Sequence, residues 1–219
     1  MIETSIIIPS YNDGEKVIRL LNILLKKTNN LNYEIIIVES GTTIYQKDLS
    51  KKIIFLKSKK GRATQMNKAA KISKGKNLLF LHADSKVSQI NFKSLNIESW
   101  GYFKIKFNSN KTYFRIIEFT SQLRAKIFKI PFGDQGLLIT KKLFNKVKGF
   151  DQKIFEDINI ALKLKKINPP KQINQNIVSS PRRFIEHGIF KTHITMGIIL
   201  IAYLLHQQKL AKAIYKLII

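Results

Sequence analysis

The sequence of 219 residues predicts an α/β fold with a mainly parallel sheet, on two observations. First, short apolar runs alternate with segments of helical apolar spacing over residues 5–81, which is typical of parallel strands joined by helices. Second, turn residues separate these segments, as in Ser10-Tyr11-Asn12-Asp13-Gly14.

The first half contains four predicted strands and two predicted helices. The strands cover residues 5–9, 33–38, 53–56 and 77–81, and the helices cover residues 15–27 and 63–73. Ligands of open α/β sheets bind beyond the carboxyl ends of the strands. We therefore expect a site near residues 9–12, 39–41 and 82–84.

The second half is less regular. Its alternating and helical patterns predict strands at 102–107 and 137–140 and helices at 113–128 and 157–167. Residues after Pro169-Pro170 are interpreted as a short linker. We expect one catalytic domain, residues 1–180, and a basic, amphipathic helical extension, residues 181–219, packed on the domain or on a membrane interface.

Composition limits the function classes. The net charge is +25, but only six of the 39 basic residues are Arg, the residue that favours base readout, so no specific nucleic acid is expected. The positive excess suits nucleotide diphosphates and anionic membrane surfaces. There is no cysteine, and we find neither a signal peptide nor a spanning segment, which predicts a cytoplasmic protein, peripheral at the inner face of the membrane.

Two acidic segments are candidates for chemistry. Asp84 follows an apolar strand, where it can hold a divalent cation or cap a turn. Glu156-Asp157 precedes an amphipathic segment, where it can accept a proton or favour the helix dipole. No Gly-rich phosphate loop follows the first strand, which disfavours kinases and dehydrogenases.

Four motifs in order resemble glycosyltransferase family 2. They are Ser5-Ile6-Ile7-Ile8-Pro9-Ser10-Tyr11-Asn12, the segment from Glu34 to Gly41, His82-Ala83-Asp84, and Gly149-Phe150-Asp151 with Phe155-Glu156-Asp157. The resemblance covers about residues 3–166. It implies the GT-A fold, a Rossmann-like three-layer sandwich with a mainly parallel central sheet, here with a C-terminal helical tail.

Three further segments resemble a bacterial subgroup labelled as arsenosugar-biosynthesis-type glycosyltransferases. They are Gly61-Arg62-Ala63-Thr64-Gln65-Met66-Asn67, Phe132-Gly133-Asp134-Gln135-Gly136 and Ser180-Pro181-Arg182-Arg183-Phe184.

The family resemblance assigns roles to individual residues. Asp157 with Glu156 is catalytic, Asp157 as general base, and Asp84 binds Mn2+ or Mg2+. Asp134 and Gln135 are expected at the acceptor. The expected donor-binding residues are Pro9, Tyr11, Glu15, Glu39, Arg62, Asp84, Arg182 and Arg183. Glu39 and His82 stand where the family usually has Asp, which affects base preference and metal affinity.

The resemblance therefore predicts a metal-dependent, inverting, hexosyltransferase-like enzyme that moves a sugar from a nucleotide-sugar donor to an unknown acceptor hydroxyl. The main alternative is a catalytically altered transferase fold that binds anionic membrane or nucleic acid. A nucleotidyltransferase ranks third, because the Gly-rich, Arg-containing loop expected after its first strand is absent.

Overall fold

The structure is a computed structural model that describes residues 1–43, 45, 50–151 and 154–216. Seven strands form one sheet in the order β3-β2-β1-β4-β6-β5-β7. The strands are β1 (Thr4–Ser10), β2 (Tyr33–Glu39), β3 (Ile53–Lys57), β4 (Asn77–Phe80), β5 (Trp100–Phe107), β6 (Leu137–Thr140) and β7 (Lys171–Ser179). The helices are α1 (Gly14–Thr28), α2 (Arg62–Ile72), α3 (Thr112–Phe128), α4 (Lys141–Lys146), α5 (Glu156–Lys165), α6 (Arg182–His187), α7 (Ile189–Leu204) and α8 (Gln208–Lys216).

The sheet is mainly parallel, as predicted. Strand β6 is antiparallel to both of its neighbours, β4 and β5, while the other paired strands run parallel. Strands β1 and β2 are buried along their whole length and rich in Ile, which suits central strands covered on both faces.

Helices cover both faces of the sheet. Side chains alternate along β1, so that Ile7 packs into one core cluster with α2, α5 and α7, while Ile6 and Ile8 pack into the other with α1. This arrangement confirms the three-layer sandwich.

The segment after Pro169-Pro170 is a strand, so its interpretation as a linker was wrong. Strand β7 pairs in parallel with β5 at the edge of the sheet. Its sequence, Lys-Gln-Ile-Asn-Gln-Asn-Ile-Val-Ser, is polar, and Ile177 is its one fully buried side chain. An edge strand needs little apolar burial, so apolar periodicity gives a weak signal for it.

The C-terminal helices pack against the sheet-containing part of the protein. Leu200, Tyr203 and Ala211 are buried in the core cluster that contains α5. The Tyr203 hydroxyl donates a hydrogen bond of 2.8 Å to Oδ1 of Asn159. Within the described ranges, no helix is long and apolar enough to cross a membrane.

Candidate active site

Two neighbouring cavities lie beyond the carboxyl ends of β1 and β4. The first, which we call the strand-end cavity, has a volume of about 200 Å³. The second, the tail-side cavity, has a volume of about 180 Å³ and is closed partly by the C-terminal helices. The two cavities share a wall made by Arg62, His82 and Asp84.

The strand-end cavity collects several predicted donor residues. Pro9, Tyr11 and Arg182 line it together with the shared wall. The Tyr11 ring is half exposed, and the Lys60 ammonium lies 4.0 Å from its centroid. Such a ring is accessible to a flat partner, and the lysine beside it favours a negatively charged one.

The glutamine of the Gly-Arg-Ala-Thr-Gln-Met-Asn segment shapes this cavity. Nε2 of Gln65 donates hydrogen bonds to the carbonyl oxygens of Ser10 at 2.7 Å and Val38 at 2.6 Å. The bonds fix the ends of β1 and β2 to α2, which begins at Arg62. Gln65 therefore positions the strand ends relative to the arginine.

Glu39 lies beneath the cavity and does not line it. Its carboxylate accepts hydrogen bonds from Oγ of Ser10 at 2.7 Å, the Tyr45 hydroxyl at 2.9 Å, and the backbone N–H groups of Gly41 at 2.6 Å and Asn12 at 3.1 Å. Burial raises the pKa of Glu39, but these hydrogen bonds outweigh it and lower the pKa overall. The carboxylate thus holds together the two loops that follow β1 and β2.

Glu15 is also outside the cavity. Its side chain is 92% exposed on α1 and lies 3.5 Å from Arg19, one helical turn away. The structure therefore brings neither Glu15 nor Glu39 to the strand-end cavity, and the predicted donor residue Arg183 lines the tail-side cavity instead. The predicted donor residues that do line the strand-end cavity are Pro9, Tyr11, Arg62, Asp84 and Arg182.

The shared wall carries one free carboxylate. Within the described part of the chain, no hydrogen bond or ion pair occupies the Asp84 side chain. Burial, followed by the positive charge of Arg62, lowers the pKa of His82 to about 4, so this imidazole is neutral at neutral pH.

The wall fits a metal ion that is held jointly with a ligand. Among the described residues there is no cluster of three or more His, Cys, Asp or Glu side chains that can hold a metal ion. Mg2+ and related hard cations are commonly held by one or two carboxylates and substrate phosphates. Asp84 suits such a shared site, in which the protein supplies one oxygen ligand and the phosphates of a bound ligand supply others.

Glu156 and Asp157 begin α5 and have different surroundings. Glu156 is 7% exposed, and its Oε1 lies 2.8 Å from Nε of Arg62. Burial raises the pKa of Glu156, while Arg62 opposes the shift. Glu156 therefore orients Arg62, and it lines neither the strand-end cavity nor the tail-side cavity.

Asp157 faces the tail-side cavity. Its Oδ2 accepts a hydrogen bond of 2.9 Å from the Gly133 N–H, and its Oδ1 accepts one of 2.9 Å from the Ile158 N–H. Each oxygen keeps lone-pair capacity for another donor. The carboxylate is thus held in place and can still accept a proton.

Two backbone features bring Asp157 to this position. Phe155, which precedes α5, has a φ of 65°, a left-handed conformation that is unusual for a bulky residue. Gly133 approaches closely, since a Cβ there would lie 2.9 Å from Nε2 of His82 and 3.6 Å from Oδ2 of Asp157. A larger residue at position 133 would therefore crowd the His82 imidazole beside the Asp157 carboxylate.

The two predicted acceptor residues have separate locations. Asp134 lines the tail-side cavity, and its buried Oδ1 has no hydrogen-bond partner among the described residues. Burial raises the pKa of Asp134 to about 6, although Arg124 opposes the shift. Gln135 is fully buried, and its Oε1 accepts hydrogen bonds from Nη2 of Arg124 at 2.9 Å and from the Phe132 N–H at 3.2 Å.

The tail contributes one arginine to each cavity. Arg182 lines the strand-end cavity, and its Nε lies 3.8 Å from Oε1 of Glu186. Arg183 lines the tail-side cavity, 5.1 Å from the centroid of the Tyr215 ring. Its buried Nη2 has no hydrogen-bond partner within the described residues. An unpaired buried donor that faces a cavity is available to a ligand.

Sequence reasoning missed several side chains of the tail-side cavity. Phe107, Phe184, Met196 and Tyr215 line it, and three of them come from the C-terminal helices. Arg124 was missed as well, although its guanidinium stacks 3.4 Å from the centroid of the Phe132 ring. Phe184 ends the Ser180–Phe184 segment but was given no role, and no local motif marks the others, because long-range packing of β5, α3, α6, α7 and α8 brings them together.

Comparisons with known proteins agree with this architecture. Residues 5–95 match the profile described as Glycosyl transferase family 2. No curated protein matches the chain. The comparisons give no support to the narrower resemblance to arsenosugar-biosynthesis-type enzymes.

Two solved structures share the fold. One is TarS residues 1–349 from S. aureus, with 16% identity and a TM-score of 0.61, covering 89% of this chain and 64% of that one. The other is the mannosyltransferase PcManGT from Pyrobaculum calidifontis in complex with GDP-Man and Mn2+, with 14% identity and a TM-score of 0.58, covering 90% of this chain and 64% of that one. The chain thus spans somewhat less than two thirds of each structure. The profile covers residues 5–95, less than half of the chain, so the chain is similar to family 2 glycosyltransferases over that segment, and its overall fold is GT-A-like.

Proposed function

We propose that the protein transfers a sugar from a nucleoside diphosphate sugar to an acceptor hydroxyl, with Mn2+ or Mg2+ and with inversion at the anomeric carbon. The observation that carries this proposal is the pair of cavities. They meet at Arg62, His82 and Asp84, while Asp157 lines the tail-side cavity and not the strand-end cavity. Donor and acceptor can therefore approach each other across one wall.

In the proposed arrangement the donor occupies the strand-end cavity. The nucleoside lies near Pro9 and Tyr11, and the diphosphate lies against Arg62 and Asp84. The metal ion, when bound at Asp84, supplies Lewis-acid stabilisation of the leaving diphosphate. Arg182 adds positive charge from the tail. The structure of PcManGT with GDP-Man and Mn2+ supports this pairing of nucleotide sugar and metal by analogy of fold.

Asp157 is the proposed general base. The acceptor hydroxyl lies in the tail-side cavity and donates its proton to a carboxylate oxygen of Asp157 as its own oxygen bonds to the anomeric carbon. The bond from that carbon to the donor phosphate breaks, and the nucleoside diphosphate leaves on the opposite side. One base opposite the leaving group requires a single displacement, which inverts the anomeric configuration.

Glu156, Glu39 and Gln135 are proposed as positioning residues. Glu156 orients Arg62 through the 2.8 Å ion pair. Glu39 holds the loops that carry Asn12 and Gly41, and Gln135 holds the loop of Gly133 and Asp134. The donor role of Glu15 has no support in its location.

We also propose that residues 181–219 complete the active site of a catalytic domain formed by residues 1–180. Arg182 and Arg183 reach the two cavities, and Met196 and Tyr215 close the second one. The positive charge of the chain supports peripheral contact with an anionic membrane, and a location at its cytoplasmic face stays a prediction.

A panel of nucleotide sugars tests the donor proposal. With Mn2+ present, a bound donor at about 100 times its Kd stabilises the protein by about 2.7 kcal/mol and raises Tm by roughly 5–11 °C. The Asp84→Ala variant should lose the metal-dependent part of this Tm shift, because the substitution removes the carboxylate that is proposed to bind the cation. If no nucleotide sugar shifts Tm and the protein instead binds nucleic acid tightly, the transferase proposal fails.

Stereochemistry tests the single displacement. NMR of the first product formed from an α-linked donor should show the β anomer. Retention of configuration would contradict the role of Asp157 as a base.

A further inference from the structure

Helix α3 exposes an apolar stripe to solvent. Ile116, Phe119, Leu123 and Ile127 are between 42% and 65% exposed, and their spacing of three and four residues puts them on one face. The opposite face of the helix packs into the core through Phe114. A surface helix normally exposes polar residues to solvent, so this exposed apolar stripe indicates a surface that contacts another molecule.

Helix α7 exposes a similar stripe that continues just beyond its end. Phe190, Ile194, Ile198, Ile201 and Leu205 recur every three or four residues and are between 45% and 65% exposed. We call the two stripes together the α3–α7 face.

A groove of about 480 Å³ separates the two helices. At one end Oγ1 of Thr120 lies 2.9 Å from Nε2 of His193, which joins the helices. Phe128, Ile201 and Leu205 line the groove and are also exposed, so the groove opens on the α3–α7 face. Its lining is predominantly apolar, which suits an aliphatic chain.

Gly197 keeps this groove open. It lies inside α7, where glycine is less favourable than alanine, and a Cβ added there would meet nothing within 4 Å. Close packing of the protein therefore does not require a glycine at this position. The free space beside Gly197 belongs to the groove.

The groove adjoins the proposed acceptor site. Met196 lines both the groove and the tail-side cavity that contains Asp157. Arg124 also lines the groove and donates to Gln135, which is next to Asp134. A ligand can therefore place a polar end near Asp157 and extend an apolar end along α7.

The flanking charges are almost all positive. Residues 111–129 contain five basic residues and one acid, Glu118, which is buried and paired with Lys106 and Arg115. Residues 189–216 contain four lysines and no acid. Basic side chains beside an exposed apolar surface are typical of segments that lie in an anionic membrane interface.

We propose that the α3–α7 face rests on an anionic lipid bilayer and that the groove holds the aliphatic chain of a lipid that carries the acceptor hydroxyl. The assignment of the groove to a lipid that carries the acceptor hydroxyl rests on the proposed transferase function. The contact is peripheral, with the apolar stripes in the headgroup region and the tail-side cavity directed toward lipids of the same leaflet.

Vesicle binding tests the surface. The triple variant Phe119→Gln, Ile127→Gln, Ile194→Gln removes exposed apolar side chains from both helices without touching either cavity. The matched control is Ile18→Gln, Ile72→Gln, two exposed isoleucines elsewhere on the protein. In co-sedimentation with vesicles of phosphatidylglycerol and phosphatidylcholine, the triple variant should bind at least tenfold more weakly, whereas the control should bind like the wild type.

Two results of that experiment would overturn the surface proposal. One is equal vesicle binding by the triple variant and the wild type. The other is a wild type that does not bind vesicles but forms dimers in light scattering, while the triple variant stays monomeric. The α3–α7 face would then bind a second copy of the chain.

Filling the groove tests the chain site. Gly197→Leu introduces a side chain into the free space with no backbone clash and improves helix propensity, so the variant should fold. Dansyl-labelled undecanoic acid should bind the wild type and bind Gly197→Leu at least tenfold more weakly. Equal probe binding would refute the chain site.

Donor binding separates this inference from the transferase proposal. Gly197→Leu should keep the nucleotide-sugar thermal shift of the wild type, because Gly197 does not line the strand-end cavity. If vesicles and probe bind while no nucleotide sugar does, the transferase proposal fails and the lipid surface stands. If donors bind while vesicles and probe do not, the lipid surface fails alone.

Discussion

The Asp157→Asn substitution tests the proposed base most directly, and the structure defines what it removes. Oδ2 of Asp157 accepts the Gly133 N–H and Oδ1 accepts the Ile158 N–H, each at 2.9 Å. An asparagine keeps one oxygen, so its amide group must face one of these two N–H donors. The variant therefore loses the proton acceptor and also one hydrogen bond to a charged group.

Both losses have expected magnitudes. Removal of a general base lowers kcat by roughly 100- to 10,000-fold. The lost hydrogen bond lowers the free energy of unfolding by about 1–3 kcal/mol and Tm by roughly 2–12 °C. Donor affinity should change less than about threefold, because Asp157 lines the tail-side cavity and not the strand-end cavity.

Three measurements separate these effects: kcat for transfer, donor Kd by calorimetry, and Tm. The matched control is Asp151→Asn, since Asp151 is a nearby carboxylate that pairs with Lys163 at 2.6 Å and lines neither cavity. The control should keep kcat within a few-fold. A kcat reduced less than tenfold in a folded Asp157→Asn protein would refute the base assignment.

Four other substitutions give distinct expectations. Glu39→Gln should lower the free energy of unfolding by about 2–4 kcal/mol, measured with urea, because the new amide group must face hydrogen-bond donors that the carboxylate now accepts from. The control Glu15→Gln, at an exposed position, should change the free energy of unfolding by less than about 0.5 kcal/mol. The pKa of Asp134 is raised to about 6 in the folded protein. In the unfolded chain Asp134 ionises at lower pH, so the free energy of unfolding falls as pH rises from about 4 to 6. Asp134→Asn should remove this fall and gain roughly 2 kcal/mol relative to the wild type between about pH 4 and pH 7, measured by urea unfolding. Arg183→Met should raise the acceptor KM without loss of stability, because its buried Nη2 has no partner to lose, whereas Arg182→Met should raise the donor Kd; the reverse pattern would exchange their roles.

The sequence predicted the first half of the fold well because its signals are local. Apart from Glu34, residues 33–38 are aromatic or β-branched apolar side chains, and the structure has β2 at Tyr33–Glu39. The same holds for the helix predicted at 15–27, which is α1 at Gly14–Thr28. Buried central strands and amphipathic helices carry most of their information in apolar spacing.

The candidate site was predicted where strand ends and motif order locate residues. Arg62, Asp84 and Asp157 line one cavity, and their roles there stay predictions. The sequence predictions placed Glu39 at the donor and Gln135 at the acceptor, and the structure puts both side chains beside the cavities without lining them. The predictions did not reveal that hydrogen bonds to loop backbone occupy both side chains, because such contacts depend on how the loops close.

The tail shows where local reasoning stops. The segment 182–187 is short and polar at its start, yet α6 brings Arg182 and Arg183 to different cavities. Successive residues of a helix point about 100° apart, so adjacent arginines can serve two neighbouring ligands. The position of α6 shows that Arg182 and Arg183 line different cavities here, and their contact with two ligands is part of the proposed function.

In the proposed function, the charge along the shared wall is compatible with a site that has one acidic metal ligand, Asp84. His82 stands where the family usually has an acid, and burial beside Arg62 keeps it neutral at neutral pH. An acid at position 82 would instead pair with Arg62 and compete with Glu156, which lies 2.8 Å from that guanidinium. With a neutral His82, Arg62 stays available to the donor diphosphate and Asp84 remains the only carboxylate on the wall. In the proposed reaction, the charge that develops on the leaving group is therefore offset jointly by the metal ion, Arg62 and Arg182, which explains how a single aspartate ligand can suffice.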